Sequence, residues 1–149
     1  MSEENKALAR RVSGELYSSR GTLDAADDIY APDVVAHDPN SPGDMHGPEG
    51  VKHFASAFGS AFPDRQSTVE DQIAEGDKVV TRYTFSGTHQ GEFLGIPPTG
   101  NRVQMAGMYL SRISGGKIVE EWNTYDLLGL MQQLGVSPAP GQSEEASPT

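Results

Sequence analysis

GTHQGEFLGIPPTG, residues 87–100, and GGKIVEEWNTYDLLGLMQQLG, residues 115–135, decide how this chain reads. The first stretch is polar and broken by Gly and Pro, the composition of a loop, and it joins two strand-like segments. The second opens on Gly115-Gly116, which tolerates the positive φ angles of a tight hairpin. An extended segment, Lys117 to Tyr125, follows and carries Glu120, Glu121, Trp122 and Asn123. Asp126 then precedes an apolar helical run, Leu127 to Leu134, in the position where aspartate caps free backbone N–H groups.

Upstream of these stretches lie three more extended segments: Ser67 to Ala74, Lys78 to Thr88 (rich in Val, Thr, Tyr and Phe) and Asn101 to Ser114. Gly76-Asp77 marks a turn between the first two. The N-terminal half reads as helices. Ala7, Leu8, Val12 and Leu16 recur at helical spacing from Glu3 to about Tyr17, and Gly21 stops the run. A short helix is predicted over Leu23 to Tyr30, ending before Pro32, because a residue before proline avoids the α region. Val34 to His37 reads as a short strand, and Asp38 to Asp44 as a turn-rich loop. From Gly50 to Phe62, the residues Val51, Phe54, Ala57, Phe58 and Ala61 share one helical face, and Pro63 ends it. Helices followed by antiparallel strands predict an α+β domain in which a curved sheet wraps a long helix around a pocket. One domain over 1–136 is expected, and the Pro-, Ser- and Glu-rich residues 137–149 are expected to be disordered.

Composition narrows the function classes. A formal net charge of −10 opposes binding to nucleic acid, which needs clustered cations to release counterions, and opposes docking on anionic membranes. With no cysteine, disulfides, thiolate nucleophiles and Cys-built zinc sites are excluded. The N-terminus MSEENKALARRV lacks the apolar core of a secretory signal, and no run approaches the roughly 20 apolar residues of a membrane helix. The expectation is a soluble cytoplasmic protein. None of the four histidines has the paired helical spacing of a metal site, so no metal and no cofactor are expected.

The two opening stretches resemble the SnoaL-like polyketide cyclases, also called ester cyclases, of the nuclear transport factor 2-like superfamily. The resemblance covers about Tyr30 to Val136. It implies a cystatin-like cone of antiparallel sheet around a long helix, and a homodimer formed through the outer sheet face. It also implies a cofactor-independent acid/base enzyme acting on a small hydrophobic, polyketide-like molecule. Ring closure by intramolecular aldol chemistry is the leading reaction, beside related isomerase or hydrolase chemistry. The alternative is a non-catalytic module of the same fold that binds a small ligand or a partner.

In the family that the chain resembles, an acidic residue on the last strand moves a proton with help from histidines. Aligning on Tyr125-Asp126 puts that position at Asn123, which cannot titrate; relaxing the alignment puts it at Asp126, where helix capping competes as an explanation. Glu121 is a third choice if its side chain points inward, since desolvation would make it a proton carrier near neutral pH. Alternation separates two teams on this strand: Glu121, Asn123 and Tyr125 against Glu120, Trp122 and Thr124. The hairpin places Tyr109 level with Asn123. His37, ending the segment VVAH, is either a proton carrier in the pocket or a histidine hydrogen-bonded at the rim of its loop. Arg82 sits mid-strand, where a charge needs a partner: it either faces the pocket, holding Glu120 or Glu121 or a substrate oxygen as the arginine of the resembling enzymes implies, or lies on the surface in a cross-strand ion pair. Phe93, Leu94, Ile96 and Pro97 make an apolar loop that either covers the pocket mouth or packs on a helix. Trp122 either fills an apolar surface or stacks on substrate. His46 reads as a solvated loop residue and His53 as a solvated helix residue, while His89 suits a role in fixing its loop.

Overall fold

Gly115 and Gly116 adopt φ angles of +60° and +75° and turn β5 (Arg102–Ser114) back into β6 (Lys117–Tyr125). The register that follows puts Tyr109 opposite Asn123, Ser111 opposite Glu121 and Arg112 opposite Glu120. β4 (Lys78–Thr88) lies along the other edge of β5, and β3 (Gln66–Glu75) along β4, all antiparallel. In this computed structural model residues 2–136 are described; the tail expected over 137–149 lies outside the described residues.

The N-terminal half supplies the rest of the sheet and its cover. α1 (Ser2–Arg11) passes into a π-helical segment (Val12–Leu16), and α2 (Ala25–Ile29) leads into β1 (Tyr30–His37). A two-residue strand, β2 (Met45–His46), precedes α3 (Gly47–Ala61). The sheet order is β2-β1-β6-β5-β4-β3, and α4 (Leu127–Gln133) closes the chain. The expected α+β architecture is present. Among the described residues no helix is long and apolar enough to cross a membrane.

Four expectations need correction. The sheet is not wholly antiparallel, because β1 pairs parallel with β6. The chain between those strands spans most of the domain, so no hairpin dictates their relative direction. The first strand begins at Tyr30 rather than Val34. It carries Pro32 because that residue falls where the pairing with β6 is irregular, between Tyr30 and Val35, and a missing N–H does no harm there. His46, expected in a loop, belongs to β2 and pairs with Val35. Finally, the first helix is not α-helical throughout. Where it widens into a π turn, the Tyr109 hydroxyl donates to the Ala9 carbonyl at 2.8 Å and lies 3.0 Å from Ser13 Oγ.

Apolar residues on the helix-facing side of the sheet build the core. On β4 this side carries Val79, Thr81, Tyr83 and Phe85, and on β5 Val103, Met105, Tyr109, Ser111 and Ile113, all buried. From α3, Val51, Ala55, Phe58 and Ala61 face them; Ala55 rather than the expected Ala57 is inside. Phe58 packs against Phe85, Phe93 and Tyr125 with ring centroids 5.2–5.8 Å apart. Irregular pairing in β3 near Val69–Asp71 and between β5 and β6 at Arg112–Ile113 bends the sheet, as inserted residues do. Gly107 is required by packing. A Cβ there would strike the Tyr83 hydroxyl, so the missing side chain makes room for a phenol beneath β5.

Candidate active site

Strand alternation fixes which last-strand team is inside. Glu121, Asn123 and Tyr125 line an interior cavity, whose other walls are Tyr83 and Phe85 of β4, Met105 and Tyr109 of β5, and Ser67 of β3. Val12, Ser13 and Tyr17 cover it from the π-helical segment and its end, with Phe54 and Phe58 from α3. Its volume is about 30 Å³, room for about two waters. Trp122 and Thr124 project from the other face, as does Met108 of β5; Trp122 is 37% and Met108 46% exposed.

Glu121 is the unusual residue. It is 6% exposed and sits among phenols and aliphatic side chains with no cation beside it. The Tyr30 hydroxyl donates to its Oε1 at 2.8 Å, and Ser111 Oγ to its Oε2 at 3.3 Å. Burial disfavours the charged form and lifts its pKa from 4.5 to about 7, while the two hydrogen bonds pull weakly the other way. The phenols respond in kind. Tyr30 and Tyr17 titrate well above the ordinary range, first through burial and then through the Glu121 charge.

The hydroxyl groups divide by how they are engaged. Tyr109 is committed to the Ala9 carbonyl, beside Ser13. Tyr83 reaches Asn123 Oδ1 only at 3.4 Å, a long bond that a better acceptor could displace. With Oδ1 accepting, the Asn123 amide N–H groups are left as donors.

Two expected site residues lie elsewhere. His37 and Arg82 do not share the cavity with the last-strand carboxylate, because each falls out of phase with the inward residues of its own strand. Arg82 lies between the buried Thr81 and Tyr83 and is exposed. The expected pairing with Glu120 or Glu121 is not made; Arg112 Nη2 pairs with Glu120 Oε1 at 3.1 Å instead. His37 stands on the outer face, its Nε2 2.7 Å from Glu120 Oε2 and its Nδ1 2.9 Å from Asp44 Oδ1, with Trp122 stacked on the ring at 5.3 Å. These carboxylates, Glu120 foremost, raise the imidazole's pKa. The same contact, with help from Arg112, lowers that of Glu120.

Asp126 is exposed at the start of α4, where its Oδ1 accepts from the Gly129 backbone N–H at 2.8 Å. Phe93 is 4% exposed and packs on Phe58 and Phe62, so of the two readings of its loop the packing one describes it. His89 pins that loop: it is fully buried, and its Nδ1 accepts from the Thr99 backbone N–H at 3.1 Å. Among the described residues no group of three or more His, Asp or Glu is placed to hold a metal ion.

One buried ionisable residue was read from sequence only as part of a turn. Asp38 is 6% exposed because it continues the inward phase of Val34 and Ala36. Its Oδ1 accepts from the Asn40 backbone N–H at 2.8 Å, while Oδ2 is buried with no hydrogen-bond partner. The signal was available: an outward His37 at a strand end obliges the next residue to point inward.

A model of the SnoaL-like polyketide cyclase family matches residues 7–134. The chain is 31% identical over 133 residues to aklanonic acid methyl ester cyclase DnrD of Streptomyces peucetius, covering 86% of this chain and 88% of that one. It is 28% identical over 116 residues to the nogalonic acid methyl ester cyclase of Streptomyces nogalater, covering 77% and 87% respectively. A SnoaL-like protein from Jannaschia sp. CCS1 superposes with a TM-score of 0.83 at 25% identity, over 92% of this chain and 95% of that one. The fold is therefore the nuclear transport factor 2-like cone, and the chain belongs to the SnoaL-like polyketide cyclase family.

Proposed function

We propose that the protein closes a ring in a polyketide ester by cofactor-independent aldol chemistry inside the cavity, with Glu121 exchanging a proton with the substrate. The carrying observation is a carboxyl group buried without a cation, whose pKa of about 7 suits both proton uptake and release at neutral pH. The substrate class follows from relatives that cyclise aklanonic and nogalonic acid methyl esters.

Aldol closure removes a proton from carbon next to a carbonyl, joins that carbon to a second carbonyl, and delivers a proton to the new alkoxide. Nothing is lost overall, so one proton and a group able to carry it suffice. Negative charge passes from enolate to alkoxide and needs donors aimed at oxygen in a dry site. The Asn123 amide and the loosely held Tyr83 hydroxyl supply them, whereas Tyr109 supports the wall. Asn123 at the position that the resemblance gives to an acid then orients and stabilises charge rather than titrating.

A polyketide ester is far larger than 30 Å³, so entry displaces part of the cover. The π-helical segment suits that movement, since π turns are less regular than α-helix and gather at functional sites. Had Trp122, Thr124 and Met108 pointed inward they would have favoured a binding module or a closed core; they line the outer face. The outer face carries a groove of about 550 Å³ lined by Val80, Met108, Leu110 and Trp122. A second copy seated there makes the homodimer part of this reading; sedimentation showing only monomer at micromolar concentration contradicts it.

The test is conversion of aklanonic acid methyl ester by wild type and Glu121→Gln, followed chromatographically. Wild-type turnover that rises or falls around pH 7, and its loss in the variant, support the reading; equal turnover in the two proteins refutes it.

A further inference from the structure

Glu121 is not the only carboxyl group inside this domain. Asp38, at the end of β1, is more than nine-tenths buried and has one oxygen without a partner. Leaving a buried acceptor empty is costly, and native proteins tolerate it mainly where the group has work to do. The carboxyl group lies within reach of the cavity phenols. After burial, the largest cause, the charges of Glu121 and then Asp38 add to the raised pKa values of Tyr17 and Tyr83, and Asp38 is the main charged neighbour of Tyr125. Asp38 lines the outer-face groove where that groove reaches Tyr109 and Asn123, two residues that also wall the interior cavity. Two carboxyl groups from strands that lie side by side in the sheet, one just past the end of β1 and one on β6, thus act on one layer of tyrosines.

They are not equivalent. Glu121 already accepts two hydroxyl hydrogens, from Tyr30 and Ser111. Asp38 Oδ2 makes no well-formed hydrogen bond, the Tyr125 hydroxyl engaging the carboxyl group only loosely, so a lone pair is available for a proton from substrate.

We infer that Asp38 is the carbon base of the cyclisation and that Glu121 is the acid serving the carbonyl on the other side of the forming bond. This rests on the aldol reading above and divides its two proton transfers. Asp38 takes the proton from the carbon beside the ester carbonyl, and the C–H electron pair becomes the enolate. That carbon forms the new C–C bond, and the attacked carbonyl's π pair goes to its oxygen, which takes the proton of neutral Glu121. Asp38 then releases its proton to solvent and Glu121 takes one up from solvent, so both groups are restored and no net proton is consumed.

The two variants separate the steps. Aklanonic acid methyl ester is incubated in D2O with wild type, Asp38→Asn or Glu121→Gln, and NMR follows both deuterium uptake at the carbon next to the ester and ring closure. Glu121→Gln should keep enzyme-dependent deuterium uptake within about threefold while losing closure. Asp38→Asn should lose both by about a hundredfold or more, the usual worth of a general base. Should Asp38→Asn not fold, as read by near-UV circular dichroism, Asp38→Ser carries the same comparison. Wild-type deuterium uptake in the Asp38 variant overturns the assignment, and so does loss of uptake in both variants. The aldol reading fails separately, on undiminished closure by Glu121→Gln.

Discussion

Glu120 and Glu121 are chain neighbours of identical chemistry, and the sheet separates them completely. Glu120 faces outward, bonded to His37 and Arg112, and its pKa is lowered by those partners. Glu121 faces inward among phenols, and burial raises its pKa to about 7. Cations answer the outer charge; the inner one has only neutral donors. A one-residue step along a strand therefore converts an ion-pair residue into a proton carrier, which is the physical content of period-two alternation at an active site.

The largest expected effect on this contrast is catalytic. Glu121→Gln should lower turnover of aklanonic acid methyl ester by about 10²–10⁴-fold, the range for a positioned acid or base, whereas Glu120→Gln should leave it within about twofold. Equal losses in the two variants would erase the distinction between faces.

Next comes stability. A carboxyl group raised on folding stabilises fully below its unfolded value of 4.5, and that contribution is lost as pH rises through about 7. The shift corresponds to on the order of 3 kcal/mol, so Glu121→Gln should be the more stable protein at pH 8 by up to that amount and should flatten the fall between pH 5 and 7. Urea unfolding at a series of pH values measures it. A variant less stable than wild type at pH 8 contradicts the burial argument.

A smaller effect concerns Tyr30. Its hydroxyl favours the charged form of Glu121, so Tyr30→Phe should move the Glu121 titration upward, by about one pKa unit. A downward move would mean that the phenol acts otherwise. On the outer face, Glu120→Gln removes the largest cause of the raised His37 pKa, and proton NMR of the imidazole should record a fall. For His37 the sign follows the same rule: its contribution is present below its unfolded value and fades as pH climbs past the folded one.

Legibility differed by element for reasons that these residues make plain. The bounds of Lys78–Thr88 and Lys117–Tyr125 are legible in the sequence because Gly-rich turns and β-branched or aromatic residues act locally. The level of Tyr109 with Asn123 followed from the hairpin alone. The start of β1 was hidden because Pro32 argues locally against a strand, and only the distant β6 overrides it. The π turn depends on Tyr109 reaching Ala9, a contact about 100 residues apart in the chain. Phase told the rest. Arg82 between Thr81 and Tyr83, and His37 between Ala36 and Asp38, point away from whatever their neighbours face, although the chemistry of each suits a pocket. Asp38 was passed over because Asp-Pro is a turn signal, although the inward run of Val34 and Ala36 already led to it.

The central claim is that an uncompensated carboxyl group is buried in this cone at Glu121. A 13C NMR titration of the side-chain carboxyl groups, with Glu121 assigned by comparison with Glu121→Gln, addresses it most directly. The account predicts a midpoint near 7; a midpoint near 4.5, the ordinary glutamate value, would contradict it.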